Sequence, residues 1–242
     1  MIKSPSNQPL EGQLNEAERA QIDEALSSLL KERPICLEVG TYKGGGSTLR
    51  ILRTLAKGEG QLYGIEASPE IFSEMKSGLL AQEPELCQRF IPLCGFSQKV
   101  LPDLFSRQKV PRVNFVFLDG GNNPREQIEE FDLLDPRMPV GSILMAHDAL
   151  LRKGKWLRRI LPLLDHFETR ILPLSTEGLL VAKKLRDRPT RWSTTKAKCM
   201  LFLNQLAPLE LAARLVPAGI RALPFRFLPR RFTAWIADGR SL

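Results

Sequence analysis

Ile35-Cys-Leu-Glu-Val-Gly-Thr-Tyr-Lys-Gly-Gly-Gly-Ser-Thr-Leu49 decides how this chain folds. An apolar run closing at Glu38-Val39 has the character of a buried strand, and Gly40 permits a sharp turn after it. Gly44, Gly45 and Gly46 let backbone approach a ligand with no side chain in between, and Ser47 or Thr48 caps the helix that follows. Free amides at a helix start attract an anionic group, here the carboxylate of a small cofactor. The spacing is not the dinucleotide G-x-G-x-x-G, so a nicotinamide cofactor fits poorly, and a plain flexible loop is the alternative.

Working outward, strand and helix signals alternate. Asn15 with Glu18 forms a capping-box pattern, and Ala17, Ile22, Ala25, Leu26, Leu29 and Leu30 give an apolar stripe on a first helix ending near Arg33-Pro34. Strands are predicted at about 35–39, 61–66, 88–94, 113–118, 142–146, 170–174 and 178–183, and helices at about 47–57, 69–82, 98–107, 124–134 and 156–167. This βαβ rhythm predicts an α/β fold with a doubly wound parallel sheet and sites at the carboxyl ends of its strands.

The chain has 242 residues, 43% of them hydrophobic, enough for one α/β domain and an appendage. Met1 to Pro9 is polar, and no apolar run reaches membrane-spanning length, which points to a cytoplasmic protein. Cys36, Cys87, Cys94 and Cys199 show no C-x-x-C spacing, so neither a disulfide framework nor a zinc site is indicated. The net charge of +8 lies entirely in the tail: residues 1–184 carry 24 basic and 24 acidic groups, residues 185–242 carry 11 and 3. The predicted organisation is a tail and covering helix over 1–33, a cofactor-binding domain over 34–184, and a basic, apolar helical extension over 185–242. Within that extension, 196–216 is apolar around most of its circumference, and the arginines and aromatics beyond it suit a membrane surface, nucleic acid or another subunit.

The chemistry-bearing residues fall at strand ends. Glu66 closes the second strand about two dozen residues past the glycine loop, where a carboxylate accepts hydrogen bonds from both ribose hydroxyls of an adenosyl cofactor. Gly95, Phe96 and Ser97 follow the third strand, beside the adenine, although Phe96 also suits a core. Asp119 follows the fourth strand and His147-Asp148 the fifth, and adjacent strand ends would bring oxygen ligands together as Mg²⁺ prefers. Both aspartates also suit plain helix capping. His147 is placed for a general base, whereas His166, in an apolar stretch, has a structural character.

Taken in order, Glu38-Val-Gly-Thr-Tyr-Lys-Gly-Gly-Gly-Ser47, Gly64-Ile-Glu66, Phe117-Leu-Asp-Gly120, Gly141-Ser-Ile-Leu-Met-Ala-His-Asp148 and Glu177-Gly-Leu-Leu-Val-Ala182 resemble the class I S-adenosylmethionine-dependent methyltransferases, specifically the catechol-type and macrocin-type O-methyltransferase branch, across about residues 33–184. The resemblance implies a mostly parallel, seven-stranded Rossmann-like sheet with a reversed last strand. It also implies Glu38, Gly40, Tyr42 and Ser47 around the methionine moiety, Glu66 on the ribose, and Asp119 with Asp148 on a divalent cation. Two departures stand out. Gly121 and Asn122 occupy positions where metal-dependent relatives carry a further acid and a basic side chain, which leaves His147, a residue of the Arg152-Lys-Gly-Lys155 loop, or a metal-bound acidic acceptor to handle the proton. The glycine loop is also one residue longer than the catechol-type version.

The expected function is O-methyl transfer to a small molecule, assisted by Mg²⁺. A noncatalytic adenosyl-binding module acting through its C-terminal surface is the alternative. Expected partners are the small acceptor, a second copy of the chain through the extension, and an anionic membrane surface touched by the arginine-rich end. Nucleic acid is disfavoured, because the tail charge comes without a readout motif.

Overall fold

The computed structural model describes residues 10, 12–107, 110–121 and 123–206. Seven strands, β1 (Ile35–Val39), β2 (Gln61–Glu66), β3 (Phe90–Cys94), β4 (Phe115–Leu118), β5 (Ile143–Ala146), β6 (Phe167–Leu172) and β7 (Leu179–Lys184), form one sheet in the order β3-β2-β1-β4-β5-β7-β6. β1 through β5 pair in parallel, with β1 flanked by β2 and β4. The sheet is mixed rather than wholly parallel. β7 pairs antiparallel with both β5 and β6, since the short 173–178 connection after β6 allows a hairpin return but no crossover.

The two faces of the sheet follow the period of two along each strand. Cys36, Leu62, Phe115, Phe117 and Met145 point to one side, where α1 (Glu16–Ser27), α2 (Ser47–Leu55) and α3 (Pro69–Gln82) cover them with Ile22, Leu26, Ile51, Leu52, Met75 and Leu79. Leu37, Val39, Val116, Leu118 and Leu144 point to the other, under α4 (Ser97–Arg107), α5 (Pro124–Leu134) and α6 (Lys155–Ile160). The Asn15–Glu18 capping box forms in both directions and starts α1.

Several predicted boundaries shift. α1 stops at Ser27, and a 3-10 turn over Leu30–Glu32 completes the segment. The predicted 156–167 helix ends at Ile160 with a 3-10 turn over Leu161–Leu163, because Pro162 has no N–H to continue the helical ladder; Phe167 instead opens β6. Neither Ser47 nor Thr48 caps α2: its N-cap is Gly46, with Ser47 already inside the helix.

Beyond β7, α7 (Arg191–Gln205) is capped by the Thr190 hydroxyl, which accepts from the Ser193 amide at 3.3 Å. Ala197 is buried and Leu201 packs against the α4–α6 core, while Asn204 Oδ1 accepts from Arg159 of α6 at 2.5 Å. Apolarity around the rest of this helix does not translate into burial, since Phe202 is 60% and Leu206 47% exposed. The remainder of the predicted extension, 207–242, lies outside the described residues, as do the 1–9 tail and Asn122. No helix among the described residues is long and apolar enough to cross a membrane.

His166 is fully buried, its Nε2 3.0 Å from Asp135, whose carboxylate also receives Lys184 Nζ at 2.7 Å. This cluster ties the end of β7 to the turn after α5, a structural place consistent with its sequence context.

Candidate active site

Because β1 sits between β2 and β4, the carboxyl ends of β3, β2, β1, β4 and β5 lie side by side, and the loops leaving them enclose a cavity of about 500 Å³. That is the size of a typical small-molecule site. Gly40, Tyr42, Glu66, Gly95, Phe96, Ser97, Asp119 and Asp148 all line it, so eight of the sequence-predicted site residues meet in one place. Two of them, Tyr42 and Asp148, adopt positive φ, at 49° and 58°. Left-handed backbone at a bulky tyrosine is uncommon and concentrates at functional sites.

Glu66 is a firmly held carboxylate of the cavity lining. Its Oε2 accepts from the Tyr42 amide at 2.9 Å and its Oε1 from the Ser68 amide at 3.0 Å, which fixes the carboxylate at the end of β2. Each carboxylate oxygen has a second lone pair, so two further hydrogen bonds can be accepted from the cavity. Across the cavity, Ser97 Oγ donates to Glu130 Oε1 at 2.6 Å, and burial pushes that carboxyl up to about 7. Gln13, Glu130 and Lys153 also line the cavity. Of these, only the loop carrying Lys153 had a signal in the sequence; Gln13 precedes the first helix in a stretch without periodicity, and Glu130 looks like any surface glutamate of an amphipathic helix.

Four predicted residues do not line this cavity, although Ser47 lines a small second pocket shared with Gly40, Tyr42 and Asp119. Glu38 is fully buried and accepts a very short hydrogen bond from the Ser47 hydroxyl; burial pushes its carboxyl up to about 8. The pair braces β1 against the start of α2. Gly44, with φ of 84°, turns toward α3, where an added Cβ would sit 3.2 Å from Leu79 and Met75, so it serves helix packing rather than ligand approach. The α2 start is itself covered: a Cβ on Gly12 would fall 2.4 Å from the Gly46 amide nitrogen, so the segment before α1 lies directly on the glycine loop. His147 is 3% exposed, with Nδ1 3.3 Å from both Asp119 and Asp148 and Nε2 3.4 Å from Glu18 of α1. Burial pulls its pKa down, but the three carboxylates prevail and hold it above the ordinary imidazole value. It braces the aspartates from behind and is absent from the residues lining the cavity.

Asp119, His147 and Asp148 offer ligand atoms within 4.8 Å of one another, as a metal would require. Lys153 meets the same carboxylates: its Nζ lies 3.1 Å from Asp119 Oδ1 and 2.6 Å from Asp148 Oδ2. Burial would raise the Asp119 pKa, yet Lys153 and His147 overcome it and hold the group below the usual carboxylate range.

Residues 37–149 match the family model described as a methyltransferase domain. The sequence matches no curated protein. Among solved structures, the chain is similar to the O-methyltransferase TomG from Streptomyces achromogenes, involved in tomaymycin synthesis and solved with S-adenosylmethionine, at 19% identity over 72% of this chain and 82% of that one, TM-score 0.60. An O-methyltransferase from Bacillus cereus in complex with S-adenosylhomocysteine aligns at 17% identity over 71% and 83%, TM-score 0.55. An rRNA methylase from Streptococcus thermophilus aligns at 16% over 77% and 99%, TM-score 0.54. These identities speak to the fold. The family match spans the glycine loop, Glu66 and both cavity aspartates, and residues 37–149 accordingly carry a methyltransferase domain.

Proposed function

We propose that the chain transfers the methyl group of S-adenosylmethionine to an oxygen atom of a small molecule. The observation that carries this reading is Glu66, a carboxylate immobilised by two backbone amides inside a cofactor-sized cavity, with acceptor capacity left for two ribose hydroxyls. The lining is also acidic. Among the described residues, Glu66, Asp119, Glu126 and Asp148 face one basic side chain, Lys153, a balance that favours a cationic sulfonium compound.

S-adenosylmethionine, held by Glu66 and the cavity lining, would supply an electrophilic methyl group to the acceptor oxygen, whose proton must then be taken up. The chain's own part is alignment and electrostatics. Glu66 fixes the nucleoside end, and Gly40, at φ 89°, lets the exits of β1 and β4 pass against each other, since a Cβ there would fall 2.5 Å from the Gly120 nitrogen. Asp148 lines the cavity and is the carboxylate placed to take the hydroxyl proton, with His147 behind it holding its orientation. An acceptor rich in phosphate would meet repulsion at this wall, which favours neutral or cationic small molecules over nucleic acid. The O-methyltransferase likenesses point the same way, although the neighbours share only the fold.

Mg²⁺ assistance, which the aspartate pair suggests on sequence grounds, does not fit these side chains as they stand, since an ammonium group already contacts both carboxylates. Calorimetric titration tests the main reading. Wild type is expected to bind one S-adenosylmethionine per chain, and Glu66→Ala to weaken it by roughly 1–3 kcal/mol through loss of charge-assisted hydrogen bonds. Equal affinity in a folded Glu66→Ala chain would remove the assignment.

A further inference from the structure

The loop that leaves β5 folds back on itself. Asp148 takes a left-handed conformation at φ 58°, the Leu151 amide closes a turn onto the Asp148 carbonyl at 3.0 Å, and Gly154 returns so close that a Cβ there would sit 2.5 Å from that same carbonyl oxygen. The consequence is that Lys153, five residues along the chain, is delivered back over the side chain of Asp148. Its ammonium finds three oxygens: Asp148 Oδ2 at 2.6 Å, Asp119 Oδ1 at 3.1 Å and the Asp119 carbonyl oxygen at 3.1 Å. An ammonium has three donors, and each has a partner here. The Lys153 side chain is 11% exposed, so this is a built contact rather than a surface ion pair.

We infer that Lys153 is a resident cation that joins Asp119 to Asp148 where a divalent metal would otherwise sit, so that the acceptor side of this site works without a metal. The inference rests on the proposed methyl-transfer reading for what the aspartate pair does. That a lysine fills the cation position stands on geometry alone.

Two features of the chain agree. Magnesium requires near-octahedral oxygen ligation and normally keeps several waters, whereas the available set is two carboxylates already held by an ammonium and one buried imidazole. The position two residues past Asp119 is Gly121, which contributes no side-chain ligand atom. Bringing a dication to the pair would set two positive centres against each other unless Lys153 swung away. Lys153 also cannot act as a free donor to the acceptor, because its hydrogens are committed. It is a positioning residue that neutralises and aligns the carboxylates and leaves Asp148 facing the cavity.

Removal of the lysine should therefore create a metal site, an outcome that a merely structural lysine would not produce. The full-length chain is titrated with Mn²⁺ and the free-ion signal is followed by electron paramagnetic resonance, for wild type, Lys153→Met, Lys153→Ala and Asp119→Asn. Wild type is expected to leave the free Mn²⁺ signal unchanged. Lys153→Met and Lys153→Ala are expected to take up one ion per chain, at least about tenfold more tightly than wild type. Circular dichroism and a thermal melt establish that each variant folds. Stoichiometric Mn²⁺ uptake by wild type that disappears in Asp119→Asn would overturn the inference, and so would folded lysine variants that gain no affinity. If the lysine variants fail to fold, the wild-type and Asp119→Asn titrations still decide whether the pair holds a metal. S-adenosylmethionine calorimetry on the same wild-type sample reports the cofactor reading separately, so the two failures are distinguishable.

Discussion

Gly40→Ala tests the close passage on which the cavity depends. Gly40 leaves β1 at φ 89°, and a Cβ built there falls 2.5 Å from the Gly120 amide nitrogen and 2.7 Å from the Asp119 carbonyl carbon. Both are backbone atoms at the exit of β4, the strand paired to β1 through Val39 and Leu118. No rotamer change relieves the overlap. A left-handed alanine costs about 1–2 kcal/mol, and forcing the two strand exits apart costs about 1–3 kcal/mol as overpacking. The expected loss is therefore about 2–5 kcal/mol, a large share of the 5–15 kcal/mol typical of a domain. Gly141→Ala is the control. Gly141 has φ 91° but nothing within 4 Å of its Cβ position, so only the conformational part, about 1–2 kcal/mol, applies. Gly120→Ala is intermediate, since its nearest neighbour is the Val39 side chain at 2.6 Å, which can rotate. Urea unfolding gives the stabilities, and S-adenosylmethionine calorimetry reports whether displacement of Asp119 and Gly120 reaches the cavity. If Gly40→Ala proved no less stable than Gly141→Ala and bound cofactor as wild type does, the packing argument would fail.

Glu38 makes a pH-dependent prediction. Its carboxyl is raised from 4.5 to about 8 in the folded chain, so the fold keeps a proton that the unfolded chain releases; stability is full below about pH 4.5 and falls as pH rises to about 8. Each pH unit in that window removes up to about 1.4 kcal/mol per such group, and Glu130, raised to about 7, adds to the slope in its lower part. Urea midpoints at pH 5 and pH 8 should differ less in Glu38→Gln than in wild type; an unchanged slope would count against the burial argument. Cutting the chain after Lys184 removes α7, uncovers the α6 surface beneath Ala197 and Leu201, and deprives Asp165 of the Ser193 hydroxyl that donates to it at 2.8 Å. A fall of several degrees in the thermal midpoint is expected, whereas a truncated chain melting with wild type would show that α7 adds nothing to the domain.

How much of this was legible in the sequence differs by element. Local patterns held: the β1–glycine-loop–α2 run, the Asn15–Glu18 box and all seven strands have one-dimensional signals, and the strand-end rule brought Gly40, Glu66, Phe96, Asp119 and Asp148 to one cavity. The place of β7 between β5 and β6 has no such signal, because hydrophobic period gives the faces of a strand but not its neighbours. Orientation around the site was hidden for the same reason. His147 and Asp148 are adjacent in sequence, yet one lies behind the wall and the other on it, because β5 ends at Ala146 and Asp148 turns left-handed at φ 58°. Gly44 resembles a ligand-facing glycine until α3 is seen to pack against it. Lys153 reaches Asp119 only because Asp148 turns left-handed, a choice that no spacing rule announces.

The central claim is that Glu66 receives the ribose of an S-adenosyl compound in the cavity at the ends of β1 through β5. A crystal structure of the full chain with S-adenosylhomocysteine tests it most directly. The account predicts both ribose hydroxyls within hydrogen-bonding distance of the Glu66 carboxylate, with the adenine beside Phe96 and Ser97. A ligand bound elsewhere, or in this cavity with its ribose away from Glu66, would contradict it.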